Sequence, residues 1–216
     1  KFFELPKPAD ICRVYNPNNW FEWQGLLAVP PHQVAVLQGS SIMSQYTGRI
    51  ELATGSTLLM RRTVVQHQHG SFGGALESVN GTLIVDLCLF QYNVADDFYV
   101  LAGAGHGGSL YFHEGGRISA SSTQFVHNAG KVGGSIVLDG GTVAWFHNCQ
   151  FSSNTAYRAG VDAGGGAIWN RGSTLKVTDS AFSGNSAGGE ACVDDDVTIT
   201  ASNFGTFGVT DCATAK

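Results

Sequence analysis

Apolar positions along the chain fall into pairs that alternate with polar ones, and the pairs are joined by three-residue steps. Aligning on the apolar residue of "FSSN" (151–154) and "FSGN" (182–185) places Val65, Phe90, Phe125, Phe151, Phe182 and Phe204 in one column. Two residues earlier stand Thr63, Cys88, Thr123, Cys149, Ser180 and Ser202, all small. Five earlier come Met60, Val85, Ala120, Phe146, Val177 and Ile199, and seven earlier Leu58, Leu83, Ile118, Ala144, Leu175 and Val197. Three later lie Gln68, Asn93, Asn128, Asn154 and Asn185. A degenerate earlier turn fits as Ala35, Leu37, Ser40, Ile42 and Gln45.

Each alternating pair reads as a short strand with one face inward. The three-residue step breaks the alternation, so the chain must turn a corner there and keep both pairs inside. A further strand follows "GGAL" (73–76), "GGSL" (107–110), "GGSI" (133–136) and "GGAI" (165–168), bringing in Leu76, Leu110, Ile136 and Ile168. Three short strands per turn at a recurring period predict an all-β fold, a right-handed parallel β-helix of about six to seven turns. Its interior columns are Phe on Phe, aliphatic on aliphatic and small on small. The Asn column belongs at a corner, where amides bond along the stack. A β-sandwich also alternates, but leaves the recurrent Phe-x-x-Asn at one phase unexplained.

The tetrapeptides Gly-Gly-Ala-Ile and Phe-x-x-Asn, recurring in alternation over about residues 50–207, resemble the repeat of the chlamydial polymorphic outer-membrane proteins. Related repeats occur in algal and protist proteins with a pectin-lyase-like β-helix. The resemblance implies a right-handed β-helix used as an adhesive or structural surface outside the cytoplasm, with no shared catalytic residues.

On this pattern residues 34–207 form the β-helix and 208–216 a C-terminal tail. Residues 1–33 hold all five prolines and "NNWFEW", and read as an irregular arm or cap that lays Trp20, Phe21 and Trp23 over the first coil, or as a docking tail. Cys192 and Cys212, about one coil apart, are the candidate disulfide, an end staple of ~3 kcal/mol by loop closure. Cys88 and Cys149 share an inward column two turns apart, about 10 Å, too far to bridge, and read as small core residues. Cys12 is then the odd thiol.

Composition narrows the function classes. Gly is 29 of 216 residues, charged residues are 13% and net charge is −5, which suits tight turns and argues against a nucleic-acid footprint. No apolar run reaches the length of a transmembrane helix. The chain opens at Lys1 with no signal-peptide pattern, as a processed mature protein would. "NGT" (80–82) is a glycosylation sequon at Asn80, meaningful only in a eukaryotic secretory pathway.

A polysaccharide lyase or hydrolase would need carboxylates clustered on adjacent turns. The outward column between the two strands of a pair reads Arg61, Asp86, Ser121, His147, Thr178 and Thr200, and supplies no such cluster. His67 and His127 flank Tyr92 in one outward column, and "QHQH" (66–69) adds His69 without a third ligand, so neither metal nor other cofactor is expected. "VDDDV" (193–197) reads as a solvated capping turn. Two insertions, at 94–106 and 155–164, leave from the same corner and would flank a groove. Asp96, Asp97, Tyr99, His106, Tyr157, Arg158 and Asp162 are their candidate binding residues. Apolar residues at outward positions, Leu59, Val64, Ile84, Leu87, Leu89 and Trp145, mark a candidate interface. The leading reading is a non-enzymatic scaffold or protein-binding subunit that is secreted, at the cell surface or in an organelle lumen, with other protein subunits as partners. The alternative is an extracellular adhesin that binds glycan or protein through the corner loops. A carbohydrate-active enzyme comes third.

Overall fold

The computed structural model describes residues 13–15, 21–22, 26–43, 49–96, 105–157, 164–187, 197–200 and 203–204, with backbone alone at the outermost strands. The described residues build a right-handed parallel β-helix without a helix segment among them. One coil runs through Thr57–Arg61 in sheet I, Val64–Gln66 in sheet II, His69–Gly70 in sheet III and Leu76–Val79 in sheet IV. The four sheets hold eight, eight, five and six strands, and all the pairings between them are parallel. The two-residue strands of sheet III are an addition to the three strands per coil read from the sequence. They are too short to show an alternation.

The three-residue steps have one physical cause. Between sheets I and II stand Arg62, Leu87, Ser122, Asn148 and Asp179, with φ between 46° and 54°. Between sheets II and III stand His67, Tyr92, His127 and Ser153, with φ of 53–54°. A single left-handed residue turns the chain sharply, so inward residues are three apart across it rather than two. The register stacks like on like: Phe90, Phe125, Phe151 and Phe182 pair in sequence in sheet II. Their rings are buried and lie 5.1, 4.9 and 4.6 Å apart, within 9° of parallel. Thr123 and Cys149 sit inside beside them. Cys88 and Cys149 are free and buried.

The corner after sheet II is a buried amide ladder. Asn93 Nδ2 donates to Asn128 Oδ1 (3.1 Å), Asn128 Nδ2 to Asn154 Oδ1 (3.0 Å), and Asn154 Nδ2 to Asn185 Oδ1 (2.9 Å). Each of these oxygens also accepts the backbone N–H of the preceding Asn. Buried amides thereby satisfy each other and the turn backbone. The paired glycines close the coil. Gly133 has φ 61°, and a β-carbon on Gly134 would overlap Gly166 O and lie 2.6 Å from Thr155 N on the next level. The coil tolerates no side chain there.

Strands also occur inside 1–33, which the sequence pattern assigns to an irregular arm. Arg13–Tyr15, Phe21–Glu22 and Leu26–Val29 pair in parallel with Ala35–Leu37, Ile42–Met43 and Arg49–Leu52. The stack therefore begins earlier than the repeat does, because backbone pairing continues where the Phe-x-x-Asn signature is absent. Trp20, Trp23, Cys12, Cys192, Cys212 and residues 208–216 lie outside the described residues.

Candidate interaction surface

Both insertions leave sheet III, after Val94–Ala95 and after Thr155–Ala156, with Ala129–Gly130 on the level between. Asp97, Tyr99, Arg158 and Asp162 lie outside the described residues. Asp96 Oδ2 is 4.0 Å from His69 Nδ1 on the neighbouring level. Tyr157, 45% exposed, donates its hydroxyl to Ala95 O at 2.9 Å, reaching across two levels. Asp96 and Tyr157 thus stand at the same end of the sheet III strands, while His106 goes elsewhere. Its backbone bridges Phe72 and Val132, and its ring stands edge-on to Phe72, Tyr111 and Trp169 at 5.7, 5.4 and 6.0 Å. It belongs to an aromatic cluster on the outside of sheet IV.

That outer strip was not legible as a site. Its columns read Glu51, Glu77, Tyr111, Val137, Trp169 and, two residues on, Val79, His113, Asp139, Arg171. Glu77 lies 3.0 Å from Arg49, which also pairs with Glu51, and 3.7 Å from His113. Asp139 receives the Arg171 guanidinium, whose carbon lies 5.2 Å from the Trp169 ring. The available signal was positional: the residue after each Leu or Ile of the Gly-Gly strand faces outward. Burial raises the Tyr111 hydroxyl pKa, with the Asp139 carboxylate adding to it.

The apolar exterior predicted from the register is present. Val36, Leu59 and Ile84 are adjacent in sheet I, and Val64 and Leu89 in sheet II. All five are partly exposed, as is Trp145, which Ser119 separates from Ile84. Leu87 is 46% exposed on the corner between the sheets, and Tyr92 is 44% exposed on the next corner. Together with Tyr157 they are the exposed large apolar side chains among the described residues. Two of the three therefore bracket the single strand Leu89–Gln91. In the sequence Tyr92 stands out only as the residue between two histidines of one column. It stacks between His67 and His127, at 5.3 and 5.1 Å and within 6° of parallel on both sides. Gln91 Nε2 donates to Gln66 Oε1 (2.7 Å) beside them.

Asp86 holds Arg61 Nε at 3.1 Å and accepts Ser121 Oγ at 2.9 Å. Burial pushes the Cys88 and Cys149 thiols up to about 11, away from the nucleophilic thiolate. Among the described residues no three His, Cys, Asp or Glu side chains converge to hold a metal ion, and no helix is long and apolar enough to cross a membrane.

The family model of the Chlamydia polymorphic membrane protein repeat matches residues 148–171, a stretch that contains one Phe-x-x-Asn (151–154) and the following Gly-Gly-Ala-Ile (165–168). The chain carries that repeat on a parallel β-helix. No curated protein and no solved structure gives a significant match.

Proposed function

We propose that the protein is a non-enzymatic β-helix scaffold or binding subunit that acts outside the cytoplasm and docks another protein on the face around Leu89–Gln91. The observation carrying this reading is the concentration of exposed apolar area there, with Leu87 and Tyr92 flanking the strand and Val64 and Leu89 between them. Contiguous apolar surface of this kind marks partner sites, and each large side chain gains ~1.5–3 kcal/mol when covered. Arg62, exposed on the corner beside Leu87, supplies a cation at the rim of the patch. The repeat match supports an extracytoplasmic, surface-associated setting. The non-enzymatic reading draws on the carboxylates of sheets I and IV, which are held in ladders with arginine or hydroxyl groups. Acid–base chemistry on a polysaccharide would need two of them free and facing one bond.

The test is the Leu87→Ser/Leu89→Ser double variant. Partner capture falls at least tenfold with the melting temperature unchanged if the face docks a partner. A variant that captures as well as the parent, or that only melts earlier, removes the reading.

A second reading, glycan adhesion, is favoured by one feature: Trp169 stands beside Arg171 and Asp139 on the outer strip of sheet IV. An aromatic face with paired polar groups suits a sugar ring. Trp169→Ala abolishes glycan binding on that reading and leaves the docking reading untouched.

A further inference from the structure

We propose that the ring column at the corner between sheets II and III is a binding site for a planar aromatic side chain of the protein partner, a tyrosine or tryptophan, which enters above His127 and continues the stack. This rests on the docking reading above and narrows what the partner must present.

His67, Tyr92 and His127 hold one backbone conformation, with φ of 54°, 54° and 53°, so their rings leave successive levels at the same angle. The column then continues as Ser153 and Gly184, with φ 54° and 62°. The backbone keeps its path while the side chains shrink to a hydroxymethyl and to nothing. Tyr92 covers one face of the His127 ring at 5.1 Å. Among the described residues the next side chain of the column over the opposite face is Ser153, and one level further a β-carbon on Gly184 would meet nothing nearer than Ser153 Oγ at 3.6 Å. Ser183 and Gly184 are exposed and Ser153 is partly so.

The notch selects its occupant by shape and by polarity. Levels are ~4.8 Å apart, and stacked aromatic centroids sit ~4.5–7 Å apart, so one ring fits at the Ser153 level in register with the three below. The flanks are hydroxyls: Ser152 and Ser183 pair in sheet II, and Ser186 Oγ lies 3.2 Å from Thr155 Oγ1 in sheet III. An aliphatic side chain leaves those hydroxyls without new partners, and a charged one meets no counter-charge among them. A phenol or indole offers a face to His127 and a polar edge to the flank, as aromatic residues at interfaces do.

The experiment is a titration of the full chain with N-acetyl-tryptophanamide, followed by NMR of the histidine ring protons, with N-acetyl-leucinamide as control. His127 shifts upfield and saturably, His67 shifts at least threefold less, and leucinamide moves neither. Ser153→Tyr places a ring in the notch on the backbone conformation that Tyr92 already adopts, and weakens the probe at least tenfold. The probe's own indole resonances broaden saturably with the parent chain and no longer do so with His127→Ala, a change at an exposed position that requires no ring to be accommodated. The proposal is overturned if leucinamide acts equally, if His67 responds most, or if the probe response survives either variant. Leu87→Ser/Leu89→Ser keeps the probe response, so loss of partner capture in that variant and loss of the ring site are separable results.

Discussion

Truncating Asn128 to Ala tests the amide ladder at its centre. Asn128 Oδ1 accepts from Asn93 N (3.0 Å) and Asn93 Nδ2 (3.1 Å), and its Nδ2 donates to Phe90 O (3.0 Å) and Asn154 Oδ1 (3.0 Å). The neighbours do not lose everything: Asn93 Nδ2 keeps Val65 O, and Asn154 Oδ1 keeps the Asn128 backbone N–H. The Asn93 N–H, however, loses its acceptor at a buried corner, a cost of about 1–3 kcal/mol, and each other lost bond adds about 1 kcal/mol. Asn128→Ala should therefore lower stability by about 4–6 kcal/mol in urea unfolding followed by circular dichroism. That is a large share of the ~5–15 kcal/mol that a domain has. Asn128→Asp separates hydrogen bonding from packing, because it keeps the shape and turns the donor into an acceptor facing Phe90 O and Asn154 Oδ1. It should cost more than the alanine at neutral pH. An alanine variant within about 1 kcal/mol of the parent, or an aspartate milder than the alanine, would refute the ladder as a source of stability.

Three further outcomes follow from the core. Phe151→Ala, which removes a ring stacked at 4.9 Å on Phe125 and 4.6 Å on Phe182, should cost about 3–5 kcal/mol in the same unfolding assay. Gly134→Ala should prevent native folding or abolish the cooperative transition, since its β-carbon would meet Thr155 N at 2.6 Å, whereas Gly172→Ala meets open space and carries only the strain of φ 62°. The Cys88 and Cys149 thiols, with folded values near 11 against an ordinary 9, stay protonated in the native chain while the unfolded chain ionises. Their contribution is intact below pH 9 and is lost as pH rises toward 11, so stability should fall across that window and flatten in the Cys88→Ser/Cys149→Ser variant.

What the sequence reveals depends on whether a position repeats itself. The Phe and Asn columns are legible because each level repeats the same residue at the same phase, and parallel stacking rewards that identity through ring stacking and amide bonding. The Gly-Gly corners are legible for the opposite reason, since only the absence of a β-carbon fits. Outward positions carry no such constraint. Glu77, Tyr111, Val137 and Trp169 share one column without sharing chemistry, so the aromatic and ionic strip of sheet IV does not announce itself. His106 looks like a polar loop residue, and only the bridge to Phe72 and Val132 places it among rings. The strands at Arg13–Tyr15, Phe21–Glu22 and Leu26–Val29 escape because backbone pairing, not a side-chain signature, holds them in register. Leu59, Ile84 and Leu89 follow from strand parity alone, but the weight of exposure at Leu87 and Tyr92 needs the two corners.

The most direct measurement is site-specific photo-cross-linking in the protein's native setting. A benzophenone side chain replaces Leu89 on the proposed face and, in a second chain, Glu114 at an exposed corner away from it. The account predicts a discrete protein adduct from position 89, none from position 114, and loss of the first adduct when Leu87→Ser is added. Equal adducts from both positions, or none from position 89 in material where the chain is displayed, would contradict it.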